Sequence, residues 1–131
     1  MDSVTSSSPL WHKIKRYFGL YDRTIFVCTI VAGIVLLAHI VLMAVFLVPR
    51  LGRLDFLRLH YTASLGIDWV GEWWNITVYP VVGFAMFVAN GYFTGRLALQ
   101  HRLLGLVMAV MTLLLECAVG IAGVLAIGLN T

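Results

Sequence analysis

Three strongly polar side chains, His39, Asn90 and Glu116, stand inside long apolar runs of this sequence. Their types set the available chemistry. A carboxyl in an apolar setting takes a partner or holds a proton, and an imidazole makes hydrogen bonds or ligates a metal through a ring nitrogen. At 1.5 Å per residue, His39 lies ~22 Å along the first run and Glu116 ~20 Å along the third, counted from their common end. Asn90 sits only ~8 Å above Gly95, near that same end. His39 and Glu116 are therefore expected to form an intramembrane polar pair. Three roles are open to it. It is a hydrogen bond that joins two helices, a binding group, or a station for protons or ions. As a binding group it would meet a polar group of another subunit or, through His39, the metal of a haem or chlorophyll-type pigment. A second carboxylate and a polar route to Glu116 are missing, which weighs against transport. A second His for a bis-His haem is missing too, since His60 lies outside the runs and His101 at the opposite interface. No cofactor or metal is expected.

The elements that must position these groups follow from composition. Of 131 residues, 61% are hydrophobic and 11% charged, against about 45–50% and about 25% in soluble domains. Disorder is excluded for the same reason. Residues 24–48, 78–95 and 103–129 contain no Lys or Arg and a single acid. A helix needs roughly 20 mostly apolar residues to cross the hydrocarbon, so three spans fit. The expected fold is an all-α integral membrane protein with three transmembrane helices, an N-terminal amphipathic helix and an ordered extracytoplasmic loop. Cys28 and Cys117 fall at different depths in their spans and are not expected to pair.

Charge orients the spans. Lys13, Lys15, Arg16 and Arg23 precede the first, and Arg96 and Arg102 belong to the short loop 96–102. The other loop, 49–77, holds Arg50, Arg53 and Arg58. Short cytoplasmic loops carry the excess of basic residues, so six against three places the N-terminus inside and the C-terminus outside the plasma (inner) membrane. Residues 1–23 are too long and too aromatic for a signal-peptide leader, and the first span is expected to be an anchor. Within them, Ser8-Pro9 has the form of a helix start. Trp11, Ile14, Phe18 and Tyr21 recur at helical spacing among basic residues, as in a helix lying on an anionic leaflet. A charged stem that only satisfies the orientation rule is the alternative.

The loop 49–77 begins at Pro49. Leu57, Leu59 and Tyr61 alternate with Arg58, His60 and Thr62, which predicts an extended segment. Gly66 breaks that pattern. Asp68 is then expected to cap a short helix with Trp69, Trp73 and Ile76 on one face. Trp69, Trp73 and Trp74, with Trp11 at the other side, are expected interfacial anchors. The sequon Asn75-Ile76-Thr77 lies too near a span to count. Gly91 and Gly95 form a GxxxG pattern, and Ala118, Ala122 and Ala126 repeat at the same step; such small residues let membrane helices approach closely.

Enzyme signatures are absent: there is no phosphate loop, HExxH, CxxC or nucleophile elbow. The segment 59–73 resembles the outer loop of an uncharacterised bacterial family of small three-span membrane proteins, which carries LHYN, then GID, then a glycine and a tryptophan. Leu59, His60, Tyr61, Gly66, Ile67, Asp68, Gly71 and Trp73 match it. Thr62 stands in place of the family's Asn, and Glu72 where Pro is common. The segment is more distantly similar to SdpI-related membrane modules of unknown function. The resemblance implies the three-span architecture and no activity. The expected function is that of a non-catalytic small subunit or assembly factor, with membrane lipids and other membrane subunits as partners and no nucleic acid. The alternative is a protein that binds a pigment, haem or lipid through His39 or the Trp-rich loop.

Overall fold

The computed structural model describes residues 10, 12–14, 22–50 and 56–131. Three long helices carry the fold: α1 (Arg23–Leu47), α2 (Val78–Gln100) and α3 (Arg102–Gly128). Each is long and apolar enough to cross a membrane. Asp22 starts α1: its carboxylate accepts hydrogen bonds from the amides of Thr24 (2.9 Å) and Ile25 (3.3 Å), two of the four donors that a helix start leaves open. Pro49 falls in the 3-10 turn Val48–Arg50 that closes it. There Arg50 donates to the Phe46 carbonyl at 2.9 Å and lies 4.2 Å over its ring.

The loop expected at 96–102 shrinks to one residue. Arg96-Leu97-Ala98-Leu99-Gln100 are good helix formers, so α2 runs on past the apolar run to Gln100, and His101 alone is extended. The corner is tight enough that a Cβ on Gly105 would stand 2.6 Å from that of Ala98.

The fold is not all-α. Strand β1 (Phe56–Thr62) pairs antiparallel with β2 (Gly66–Glu72). The alternation read at 57–62 is β1. The helix expected to start at Asp68 is instead β2, and only Trp73–Thr77 is helical, as a 3-10 turn. Ile67, Trp69 and Val70 are strand formers, and Gly66 adopts φ +74° at the turn, a conformation open to glycine. Those local preferences override the helical spacing of the tryptophans. The pairing is irregular between Arg58 and Tyr61, where His60 faces Trp69.

Hairpin and helices share one core. Leu57 and Leu59, on the inner face of β1, pack with Met43 and Phe46 of α1, Ile76, and Ala126 of α3. Further along the bundle the inner faces are small or polar: Gly83, Gly91, Thr94 and Gly95 on α2, and Gly105, Ala109, Thr112, Glu116 and Gly123 on α3. Gly91 and Gly95 thus serve contacts inside the chain. Of the spaced alanines only Ala126 is buried, Ala122 is half-buried, and Ala118 is exposed. The outer faces expose large apolar side chains such as Ile34, Leu37, Phe84 and Leu114, as a hydrocarbon surround requires.

Candidate functional site

Two buried polar groups and one exposed platform stand out. Glu116 (1% exposed) and His39 (4% exposed) both lie inside the bundle. Among the described residues no hydrogen bond joins them, and neither carboxylate oxygen nor either ring nitrogen has a partner. Each rests instead on a glycine of a neighbouring helix. A Cβ built on Gly83 of α2 would stand 3.0 Å from Glu116 Oε2 and 3.2 Å from Leu36 Cδ1, and one on Gly123 of α3 would collide with His39 Nε2. Sequence reasoning named the polar residues and missed these glycines. The available signal was a glycine on a facing span near the depth of each polar group. Asn90 is half-buried and nearer the Asp22 end, and the Thr112 hydroxyl donates back to Met108 O at 2.8 Å, within its own helix.

Beside His39, an open groove of about 460 Å³ runs between α1 and α3, lined by Val35, Ala38, Leu42, Cys117, Gly120 and Val124 among others. Cys28 and Cys117 are free thiols. His39 is part of the groove lining, with both ring nitrogens buried and Nε2 lying against Gly123. Among the described residues, no three His, Cys, Asp or Glu side chains cluster as a metal site.

The platform is the hairpin. Asn130, beyond the end of α3, clamps β1 as a neighbouring strand would: its Oδ1 accepts from the Arg58 amide (2.9 Å), while its Nδ2 donates to Arg58 O (2.6 Å) and Ala126 O (2.7 Å). The Tyr79 hydroxyl of α2 donates to Leu59 O at 2.6 Å. Across the strands, His60 Nδ1 meets Asp68 Oδ1 at 2.8 Å; past the end of β2, Trp74 Nε1 donates back to Glu72. Asp68 therefore pairs across the hairpin and caps no helix. Fastened on its inner face, the hairpin leaves Tyr61, Leu65, Trp69 and Val70 exposed on the strands and turn, with Trp73 and Trp74 exposed beside them. Gly71 is buried under Leu59 and Asn75, and a Cβ there would stand 2.5 Å from Asn75 Nδ2.

At the opposite end Arg102 of α3 is paired with Asp22, which ties the starts of α1 and α3 together. The Arg102 guanidinium, helped by the Ile25 and Thr24 amides, holds the Asp22 carboxyl below the usual carboxylate range. Leu10 and residues 12–14 are helical and exposed. Trp11, Phe18 and Tyr21, the aromatic positions expected of the amphipathic helix, lie outside the described residues, as do Lys15 and Arg16. No family model, curated protein or solved structure matches the chain.

Proposed function

We propose that this protein is a non-catalytic membrane subunit or assembly factor that docks against a larger membrane protein complex. One observation carries the reading: the hairpin is fixed to the helix ends by Asn130, Tyr79 and the Leu57–Leu59 core, yet it keeps Tyr61, Trp69, Val70, Trp73 and Trp74 exposed, interleaved with the exposed Arg58, His60, Asp68 and Glu72. Ordering a segment costs entropy, and an ordered surface enriched in Trp and Tyr has the composition of an interface anchor. Part of that surface, at Trp69, Trp73 and Trp74, also suits the headgroup layer. The likeness of residues 59–73 to the outer loop of the small three-span bacterial family belongs with this reading.

The six-to-three distribution of basic residues supports a plasma (inner) membrane orientation with residues 1–22 and His101 in the cytoplasm and the hairpin outside. A cysteine placed at Ser64, in the hairpin turn, should react with an impermeant thiol reagent on intact cells. One at Gln100 should not, and the reverse pattern would refute the orientation.

The competing reading is a protein that binds a lipid or other apolar molecule, favoured by the groove between α1 and α3. Purification in mild detergent separates the two. A colourless protein that co-elutes at fixed stoichiometry with another membrane protein supports the subunit. A solitary chain carrying a stoichiometric lipid or a chromophore band moves the assignment to the binder.

A further inference from the structure

Asn130 closes one edge of the hairpin, and the other edge stays open. We propose that the open edge of β2, at Val70–Glu72, receives an extended segment of the partner protein as a third strand. The inference rests on the hairpin docking proposed above and supplies its mode.

The clamp fixes which backbone groups face that edge. Asn130 takes both the N–H and the C=O of Arg58, so both point away from β2. Arg58 faces Val70 across the ladder, and the two therefore form a non-hydrogen-bonded pair. In such a pair each residue turns its N–H and C=O outward. The Val70 N–H and C=O thus point to the far side of β2, and by the same two-residue parity so does the Glu72 N–H. Gly71, between them, turns inward to Leu57. The sheet has two strands, and among the described residues no backbone group from outside the hairpin bonds to it.

Three features fit the addition of a strand. The edge lacks common guards against pairing, since β2 contains no Lys and no Pro. The register shifts lie toward the turn, which leaves Val70–Glu72 regular. Next, the two edges are treated differently. A lone two-stranded hairpin is marginal, and the chain caps β1 with Asn130 but gives β2 no equivalent. Finally, the exposed side chains state the chemistry of the occupant. Val70 is apolar and Glu72 acidic. Asp68 is met by His60, whereas among the described residues no cation pairs with Glu72. A segment with an apolar side chain beside Val70 and Lys or Arg beside Glu72 complements this edge. Main-chain bonds would give such a complex its affinity and the side chains its specificity. A second copy of β2 fits less well, because antiparallel pairing of Val70 with Val70 sets Glu72 opposite Asp68.

The test compares Val70→Pro with Val70→Thr. Proline removes the Val70 N–H and sets its ring at an open edge, where strands tolerate it. Threonine keeps the backbone and the β-branch. Docking is read in native membranes from a photoreactive side chain at Tyr61, and hydrogen exchange of β1 amides in each purified variant checks the hairpin. The Tyr61 protein adduct should fall about tenfold or more in Val70→Pro and stay within about twofold in Val70→Thr. An adduct that survives Val70→Pro on an intact hairpin overturns strand addition while docking stands. No protein adduct from the chain with native Val70 overturns both, and an adduct between two copies of this chain overturns the choice of partner. If Val70→Pro loses the hairpin, amide exchange of the native sequence decides. The Val70 amide should exchange at least about tenfold faster than that of Gly71 in the purified chain, and slow by a similar factor in the co-purified complex. A Val70 amide with the same protection in both states overturns the proposal.

Discussion

Replacing Leu59 by Ala is expected to loosen the hairpin on the bundle, at a cost of about 2–5 kcal/mol, the usual range for a buried leucine. Leu59 is 1% exposed and reaches both the helix-end core and the underside of Gly71. Its loss leaves a cavity walled by α1, α3 and the 3-10 turn. Leu57, the backbone clamp at Asn130 and the Tyr79 bond still hold β1, and the contacts among α1, α2 and α3 are untouched, so the strands should open more often while the helices stay assembled. Hydrogen exchange reads this directly. Amides of β1 and β2 should lose protection by several orders of magnitude while those of α2 keep theirs. Phe56→Ala, on the exposed face of the same strand, should change stability by no more than about 0.5 kcal/mol. Equal effects at 56 and 59 would show that the hairpin does not pack as described.

Gly123→Leu should force α3 away from α1. Even a Cβ there collides with the His39 ring and comes within 2.6 Å of Met43 Cε. The methionine end can swing away, but the imidazole is held on a buried helix face, so α3 must shift away from α1. Overpacking of this kind costs about 1–3 kcal/mol, and the leucine branches put the effect at the upper end. Gly120→Leu is the control, one turn earlier on the same helix. A Cβ at Gly120 meets nothing within 4 Å, because that position faces the groove. Thermal melts in detergent should therefore separate the pair, with Gly123→Leu melting well below wild type and Gly120→Leu close to it. Coincident melts would contradict the packing of His39 against Gly123.

The helices were legible in the sequence because a span is fixed by one quantity, the length of its apolar run. Residues 24–48 anticipate α1 to within a residue at each end. The same reasoning stopped α2 at Gly95, since it tracked apolarity while the helix itself tracks backbone propensity through Arg96–Gln100. Strand β1 was visible in its two-residue alternation. Its partner was not, because Trp69, Trp73 and Ile76 happen to recur at helical steps, and only the cross-strand pairing made with β1 decides the matter. The burial of His39 and Glu116 followed from their depth and polarity. What they rest on did not. Gly83 and Gly123 become notches only through the rotation of α2 and α3 about their axes, which a nearly uniform apolar surface leaves unmarked.

Docking through the hairpin face is the central claim, and site-specific photo-crosslinking in native membranes tests it most directly. A photoreactive side chain is placed at Val70, on the exposed face of β2, and separately at Leu114, on the outer face of α3. The account predicts one discrete protein adduct from Val70, of constant mass and saturating with expression, and lipid adducts from Leu114. Lipid adducts alone from Val70, repeated at Tyr61 and Trp74, would mean that the platform faces the headgroups and that no subunit docks there.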